Sequence, residues 1–525
     1  MSKNCNKIIC YFLDNFGPFF RSFLFWIFLL GIGFLFTWTF GVNLYDETWF
    51  LQVIRRLKEG EILYRDVFFG VNPISAYVTL FFSLFFGTEI LVLKFLQALC
   101  FASTVFLTVR ILRLFLPEKK WPWLVIGFLF VYSPPYPNSL YSPLGMVFFI
   151  ATLYSALKWI QITKSQVFSE RSRGWLIWSG VFAGLTFGVK QNYGILALLA
   201  LAGVFLFASV PRAHSKMRCT WIGIVSGAFF MVVLLTVVLP VVLTHSEEAY
   251  WEYAFMRKVN YIRHSQIPYF RNFQPLFNWM RPSFFSYVKT AYGLLFFLFP
   301  FAILPLLLGF LLWRPRDQKP EFLVLLFFGM ASIFSAYPRF DSIHVVYSVP
   351  AMLIGGEVIW IGLRTLLNPF LRRVISWALV VWLSPGIILS IRRPIKLAFT
   401  GGYAFSTLPH FRYALFNAKE YVELKDHIQD LKKNLPSNEA FLLGVAPGIY
   451  YLTCGIHNPT PMDYPLGLSK RELDKIKKEI QTGEILTVVL LYPLDYCNAP
   501  ISLIEEVKTS MHKIKQLDFG EMYVY

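Results

Sequence analysis

Apolar runs long enough to span a bilayer recur along this chain from Ser22 to about Ile391, and a hydrocarbon core of roughly 30 Å takes about 20 apolar residues to cross as a helix. No other feature limits the fold so strongly, because inside lipid every backbone N–H and C=O must be paired within its own segment. The chain reads as a polytopic α-helical membrane protein. Composition agrees, with 56% of the 525 residues hydrophobic and 15% charged. The net charge of +18 does not point to nucleic acid. Most Lys and Arg lie in short loops between apolar runs, where cytoplasmic retention accounts for them, and no basic stripe with base-stacking aromatics stands outside the membrane part. The run after Arg21 is too long for a cleavable signal, and no small-residue cleavage site follows it.

Topology follows from parity. Basic clusters fall at Lys3, Lys7 and Arg21; at Arg110, Arg113, Lys119 and Lys120; at Lys164, Arg171 and Arg173; at Arg212, Lys216 and Arg218; at Arg314, Arg316 and Lys319; and at Arg364, Arg372 and Arg373. All six are cytoplasmic if Ile74 to Gly87 does not cross, and that run falls short of the ~17 to 25 residues a spanning helix needs. The expected spans are then 22–42, 89–112, 121–133, 142–161, 174–189, 193–210, 219–243, 290–313, 321–336, 345–363 and 374–391, about eleven in all. Residues 1–21 are a cytoplasmic N-terminus and 22–395 the membrane domain. Its outer face carries the first loop 43–88, the loop Ser133 to Ser142, the junction at Lys190, the long loop 244–289 and the stretch Tyr337 to His344.

After Arg392 the pattern changes. Helical periodicity at 418–434, 469–482 and 501–512 alternates with strand-like runs at Phe441 to Val445, Leu486 to Tyr492 and Met522 to Tyr525. Residues 396–525 therefore read as a small extracytoplasmic α/β domain. Its Gly444-Val445-Ala446-Pro447-Gly448 loop lacks the spacing of a dinucleotide fingerprint or a phosphate-binding loop. Cys454 and Cys497 would share the oxidising side, either bridged or as free thiols, and no Cys or His cluster has zinc-site spacing.

The first loop concentrates the chemistry. Asp46 and Glu47 sit at the end of the first span. A segment follows with Trp49, Phe50, Val53, Ile54 and Leu57 on one face and Arg55, Arg56, Lys58 and Glu59 on the other, as expected of a helix lying in the interface plane. Tyr64-Arg65-Asp66 and Asn72-Pro73 come next. Ionisable groups pressed against a bilayer are costly and tend to be functional.

The order of Asp46-Glu47 after the first span, an amphipathic helix, Gly60, Tyr64-Arg65-Asp66, Pro73, an aromatic run closing at Phe86-Gly87, then Lys190-Gln191, Tyr337-Pro338-Arg339-Phe340-Asp341 and His344 resembles the GT-C superfamily of membrane glycosyltransferases. The likeness is to its bacterial branch of protein O-mannosyltransferase-like and lipid A aminoarabinose transferase-like proteins, and it covers about residues 20 to 395. The resemblance implies an inner-membrane enzyme, a hexosyl- or pentosyltransferase. It would move a sugar from a polyprenyl-phosphate donor to a lipid, glycan or protein acceptor at the outer face. The membrane lipids would be its surroundings and nucleic acid no partner. The first-loop acid of that superfamily serves the acceptor or a metal, a role that maps onto Asp46 with Glu47 beside it.

Such a transfer needs a carboxylate to deprotonate or orient the acceptor hydroxyl, and cations or a metal to stabilise the departing phosphate. Asp46, Glu47 and Asp66 are the candidate catalytic acids, with Glu47 expected to raise the pKa of its neighbour. Lys190, Arg339, His344 and Arg257 are the candidate phosphate ligands. Each has a structural alternative: a helix N-cap for Asp46, an ion pair with Arg65 or Arg56 for Asp66, a snorkelling anchor for Lys190, a local pair with Asp341 for Arg339, and an interfacial histidine for His344. The superfamily's second acid is missing, since Ser133 to Ser142 contains neither Asp nor Glu. The cofactor is thus open between a divalent cation held by Asp46 and Asp66 and a metal-free site. Two other classes compete: an O-antigen polymerase or ligase using lipid-pyrophosphate glycans, and a lipid-glycan transporter or flippase. The long loop, with Arg257, Lys258, Arg263, Arg271 and Arg281 among aromatics, suits a lid over the donor.

Overall fold

A computed structural model of the chain describes residues 22–115, 139–165, 169–207, 215–257, 262, 266–268, 298, 302–313, 319–364, 366–378, 402–463, 470–494 and 500–525. Helices dominate the first three quarters. They are α1 (Ser22–Thr39), α2 (Asp46–Lys58), α3 (Ile74–Phe86), α4 (Ile90–Phe115), α5 (Tyr141–Ser165), α6 (Glu170–Val189), α7 (Gln191–Phe207) and α8 (Ser215–Val233). The last continues to Leu243 through a π-helical stretch at Leu234–Val238. Beyond these come α9 (Ala302–Trp313), α10 (Lys319–Phe334) and α11 (Val349–Arg364). Among the described residues five helices are long and apolar enough to cross a membrane. The expected span at 121–133 lies outside the described residues, and those at 290–313 and 374–391 are described only at 298 and over 302–313, and up to residue 378.

Small residues set the closest approaches in the bundle. Gly180, Gly184 and Gly188 recur every fourth position and so line one face of α6. A Cβ at Gly180 would strike the Val225 carbonyl, and one at Gly184 would lie 2.8 Å from Val232 Cβ, so α6 and α8 meet nearly backbone to backbone, the small-xxx-small contact favoured between helices in lipid. At the other end of α6 only Lys190 separates it from α7. The chain doubles back so tightly there that a Cβ on Gly194 would overlap the backbone of Phe187.

Helix α3 spans about 20 Å at 1.5 Å per residue, short of the membrane core. Its amphipathicity is reversed relative to a water-facing helix: Ser75, Thr79 and Ser83 are buried, while Phe81, Leu84, Phe85 and Phe86 are exposed, Phe85 by 70%. A face of Phe and Leu turned outward suits lipid, not water.

Helix α2 is covered by protein on part of the side expected to face outward. Half of its charged side is buried, with Arg55 and Arg56 only 7% and 2% exposed, while Lys58 and Glu59 are exposed. Most of the partners of the two arginines come from the far end of the chain. Arg55 donates to the carbonyls of Tyr451 (2.9 Å) and Ile456 (2.6 Å); Arg56 donates to the Thr460 carbonyl (2.9 Å) and pairs with Asp463 (3.1 Å) and Glu61 (2.6 Å). The apolar residues Phe50, Leu51, Val53 and Ile54 belong to one hydrophobic cluster with Phe441, Leu442 and Tyr451. Both guanidinium groups give most of their hydrogen bonds to protein carbonyls and carboxylates, not to lipid headgroups.

That layer runs from residue 402. A short hairpin pairs β1 (Tyr403–Phe405) with β2 (Leu415–Asn417). A four-stranded sheet follows in the order β3-β4-β6-β5, made of β3 (Phe441–Gly444), β4 (Thr487–Leu491), β5 (His512–Leu517) and β6 (Gly520–Val524), with β3 parallel to β4 and the other pairs antiparallel. Its helices are α12 (Ala418–Asn434), α13 (Pro447–Cys454), α14 (Lys470–Gln481) and α15 (Ile501–Ser510). The fully buried β3 and β4, Phe-Leu-Leu-Gly and Thr-Val-Val-Leu-Leu, carry the continuous apolar runs that a covered parallel pair requires. Cys454 is a free thiol, and Cys497 lies outside the described residues.

Candidate active site

Asp46 and Glu47 open α2, and successive residues on a helix point about 100° apart, so the two acids face different surroundings. Glu47 turns inward and is fully buried. Its Oε1 accepts from Lys94 Nζ (2.7 Å) and Gln97 Nε2 (2.8 Å), and its Oε2 from Lys94 Nζ (2.8 Å) and the Asn43 N–H (2.9 Å). Lys94 also donates to the Gly41 carbonyl (2.6 Å). A buried carboxylate with this many donors ties the start of α2 to α4 and to the end of the first span. It presents no surface to an acceptor.

Asp46 is half-buried at the entrance. Its Oδ2 accepts from Asn43 Nδ2 (3.1 Å). The capping role falls to Asn43, whose Oδ1 accepts from the N–H groups of Tyr45 (3.0 Å) and Asp46 (3.2 Å). No hydrogen-bond donor among the described residues reaches Asp46 Oδ1. Burial raises the Asp46 carboxyl above the ordinary value, against the Asn43 hydrogen bond and the positive charge of His344; Glu47 adds a smaller push upward and Arg339 a smaller one downward.

Those couplings bring together groups almost 300 positions apart in sequence. Asp341 is the hub of the second segment: Arg339 reaches its Oδ2 at 3.0 Å, and His344 Nδ1 lies 2.6 Å from its Oδ1. Burial pushes Asp341 up, but the His344 hydrogen bond and the charges of His344 and Arg339 outweigh it and leave the carboxyl below its usual range. The long loop touches this segment directly, since the Ile267 N–H donates to the Pro338 carbonyl (3.2 Å) and the Phe340 N–H to that of Ile267 (3.1 Å).

Lys190 occupies the break between α6 and α7. Its Nζ lies 3.2 Å from Ser142 Oγ and 4.4 Å from the centre of the Tyr193 ring. Next to it, Asn192 donates to the Ser335 carbonyl (2.8 Å), which ties the break to the turn leading into Arg339. Asn72 of the first loop donates to the Phe187 carbonyl (2.7 Å) and accepts from Tyr250 (2.8 Å). The first loop, the α6–α7 break, the described part of the long loop and the 335–344 segment thus converge at one end of the bundle.

Asp66 and Arg257 stand elsewhere. Asp66 is bound by Arg65 (2.9 Å) and the Ile62 N–H (2.9 Å), and its carbonyl accepts from Arg56 (2.9 Å). The charged neighbours of Asp46 are His344, Glu47 and Arg339, and those of Asp66 are Arg65 and Arg56, so the two acids stand in different surroundings. The Arg65 hydrogen bond keeps Asp66 below the ordinary carboxylate value. Arg257 is buried over the Phe68 ring (3.9 Å), with Glu472 at 3.6 Å, so it joins the long loop to α14. Among the described residues no three His, Cys, Asp or Glu side chains gather as metal ligands. Sequence reasoning missed Asn43, Lys94 and Gln97. The signals were an Asn just ahead of an acid pair, and a Lys and a Gln three apart in an apolar run, which fall on one helix face.

The helical bundle, with its buried first-loop helix and mixed α/β layer, has a fold that solved structures share at low sequence identity. Among solved structures, the chain is similar to ArnT from Cupriavidus metallidurans. The TM-score is 0.54 at 15% identity for the apo state, covering 95% of this chain and 97% of that one. For the form bound to undecaprenyl phosphate it is 0.52 at 14% identity, with the same coverage. The chain is also similar to the Archaeoglobus fulgidus oligosaccharyltransferase, with a TM-score of 0.52 and 12% identity over 88% of this chain and 69% of that one. No protein-family model and no curated protein sequence matches it.

Proposed function

We propose that the protein is a glycosyltransferase that moves a sugar from a polyprenyl-phosphate carrier to an acceptor hydroxyl at the outer membrane face. The observation that carries this reading is Asp46, half-buried at the head of α2, with one oxygen oriented by Asn43 and with His344 and Arg339 in electrostatic reach. The undecaprenyl phosphate in the similar ArnT structure supports the donor class.

In this scheme Asp46 Oδ1 takes the proton of the acceptor hydroxyl as its oxygen attacks the anomeric carbon. The bond from that carbon to the phosphate oxygen breaks, and the polyprenyl phosphate leaves with the electron pair. A base raised by burial gains driving force for proton transfer, and Arg339, His344 and Lys190 are the cations placed to stabilise the departing phosphate. Asp341 binds both Arg339 and His344. Glu47 and Lys94 fix α2 and touch no substrate. A divalent cation would need ligands besides Asp46, since Glu47 is committed to Lys94 and Asp66 to Arg65.

The orientation belongs to the same proposal: about eleven spans, with the Asp46 end and the 396–525 layer extracytoplasmic in the inner membrane. Membranes containing the protein, offered a panel of radiolabelled polyprenyl-phosphate sugars, should transfer label from one of them to a lipid, glycan or protein fraction. Transfer only from pyrophosphate-linked glycans would instead establish a polymerase or ligase.

A further inference from the structure

At the end of the bundle far from Asp46, a groove of about 410 Å³ opens between α1, α4, α5 and α6. Phe23, Trp26, Phe106, Phe148 and Phe182 line it, and Arg110 is the charged residue in its wall, its guanidinium 5.1 Å from the centre of the Phe106 ring. Above the groove Lys158 lies over Tyr154 (6.0 Å), which packs edge-on against Trp175 (5.6 Å). The charges of Arg110 and Arg171 both reach Lys158. Lys164 nearby is neutralised by Glu321 at 2.6 Å, whereas Arg110, Lys158 and Arg171 make no ion pair with a carboxylate among the described residues.

Cytoplasmic retention of loop cations does not account for this cluster. Arg110 lies five residues before the end of α4 at Phe115, and Lys158 seven before the end of α5 at Ser165, roughly 8 and 10 Å inside the helices. Snorkelling would draw such side chains apart toward water, yet here three like charges converge on a pair of aromatic rings. An anion among them removes the repulsion. From Lys158 back to Val147, which lines the groove, is eleven residues of α5, about 16 Å, close to one leaflet's share of a core of roughly 30 Å.

We propose that this groove binds a diacyl phospholipid with an anionic headgroup, its phosphate held by Arg110, Lys158 and Arg171 and one acyl chain lying along Phe106, Phe148 and Phe182. Basic pockets between membrane helices recognise anionic headgroups in this way. The inference does not rest on the catalytic reading of Asp46.

Native mass spectrometry of the purified full chain, given equal amounts of dioleoyl phosphatidylglycerol and dioleoyl phosphatidylcholine, tests it. One phosphatidylglycerol should remain bound at activation that strips phosphatidylcholine. The double variant Arg110→Gln/Lys158→Gln should weaken that binding on the order of thirtyfold. A control that removes two exposed cations, Arg372→Gln/Arg373→Gln, should leave it unchanged. Ala151→Phe, which fills the groove and keeps every cation, should expel the lipid. Equal retention of the two lipids by the wild-type chain would overturn the proposal, as would equal losses in the charge variant and its control, or undiminished retention in Ala151→Phe. The wild-type comparison decides the matter alone if a variant does not fold.

Discussion

Replacing Lys94 with Met leaves the Glu47 carboxylate in place at 0% exposure with its cation gone. Gln97 and the Asn43 N–H still donate to it, but two hydrogen bonds to a buried charge do not replace an ion pair. Removing one partner of a buried pair costs about 3 to 5 kcal/mol, a large share of the 5 to 15 kcal/mol typical of a folded domain. Both members are at most 2% exposed, so solvent screening does not reduce that range. The double variant Lys94→Met/Glu47→Gln should recover most of the loss, because a neutral amide needs no counter-charge and still accepts from Gln97. The assay is urea denaturation of the detergent-solubilised protein, with the unfolded fraction read by brief proteolysis. A Lys94→Met variant within 1 kcal/mol of wild type would refute the reasoning, and so would a double variant no more stable than the single one.

Three further outcomes follow from the site. Asp46→Asn should accumulate and bind donor normally while losing on the order of a hundredfold or more in transfer rate; near-normal turnover would remove Asp46 as the base. If Asp46 is the base it works deprotonated, and its pKa is raised, so transfer should fall with acid at a higher pH than for an ordinary carboxylate. Asn43→Ala, which deletes a hydrogen bond that lowers that pKa, should move the acid limb further up; a pH–rate profile that stays put would contradict this. Gly448→Ala places a Cβ 2.7 Å from the Thr48 backbone, two residues from Asp46. Overpacking of this kind costs about 1 to 3 kcal/mol, and measured stability and transfer rate should both drop.

Much of this was legible in the sequence, for reasons that differ from element to element. The apolar runs marked α1, α4, α5, α6, α7, α8, α10 and α11 because only a helix satisfies its own backbone in lipid. The sheet-layer elements Ala418–Asn434, Phe441–Gly444 and Lys470–Gln481 follow their periodicities within a residue or two. The edge strand β5 was not legible: His-Lys-Ile-Lys-Gln-Leu exposes five of its six residues and reads as polar surface. Helix α2 shows the deeper limit. Its alternation of Arg with Leu and Ile gives the same pattern whether the charged side meets lipid headgroups or protein carbonyls. The carbonyls that decide between them belong to Tyr451 and Ile456, and pairwise context at such separation leaves no trace in local periodicity. Asp46 could be singled out by chemistry, whereas the different environment of Glu47 depended on Lys94 in another helix.

The seating of α2 has a consequence for how the molecule is made. Arg55 waits for a carbonyl 401 residues downstream, and at a synthesis rate of roughly 5 to 20 residues per second that interval is about 20 to 80 s. During it Arg55 and Arg56 lack their partners at Tyr451, Ile456, Thr460 and Asp463, and the apolar residues of α2 lack Phe441, Leu442 and Tyr451, so the growing chain carries a partly uncovered basic, greasy helix. A nascent chain halted before Asp463 cannot close the layer over that helix. Maturation of the site is therefore a late event timed by the ribosome, and a holding chaperone on the same side of the membrane would act on this helix first.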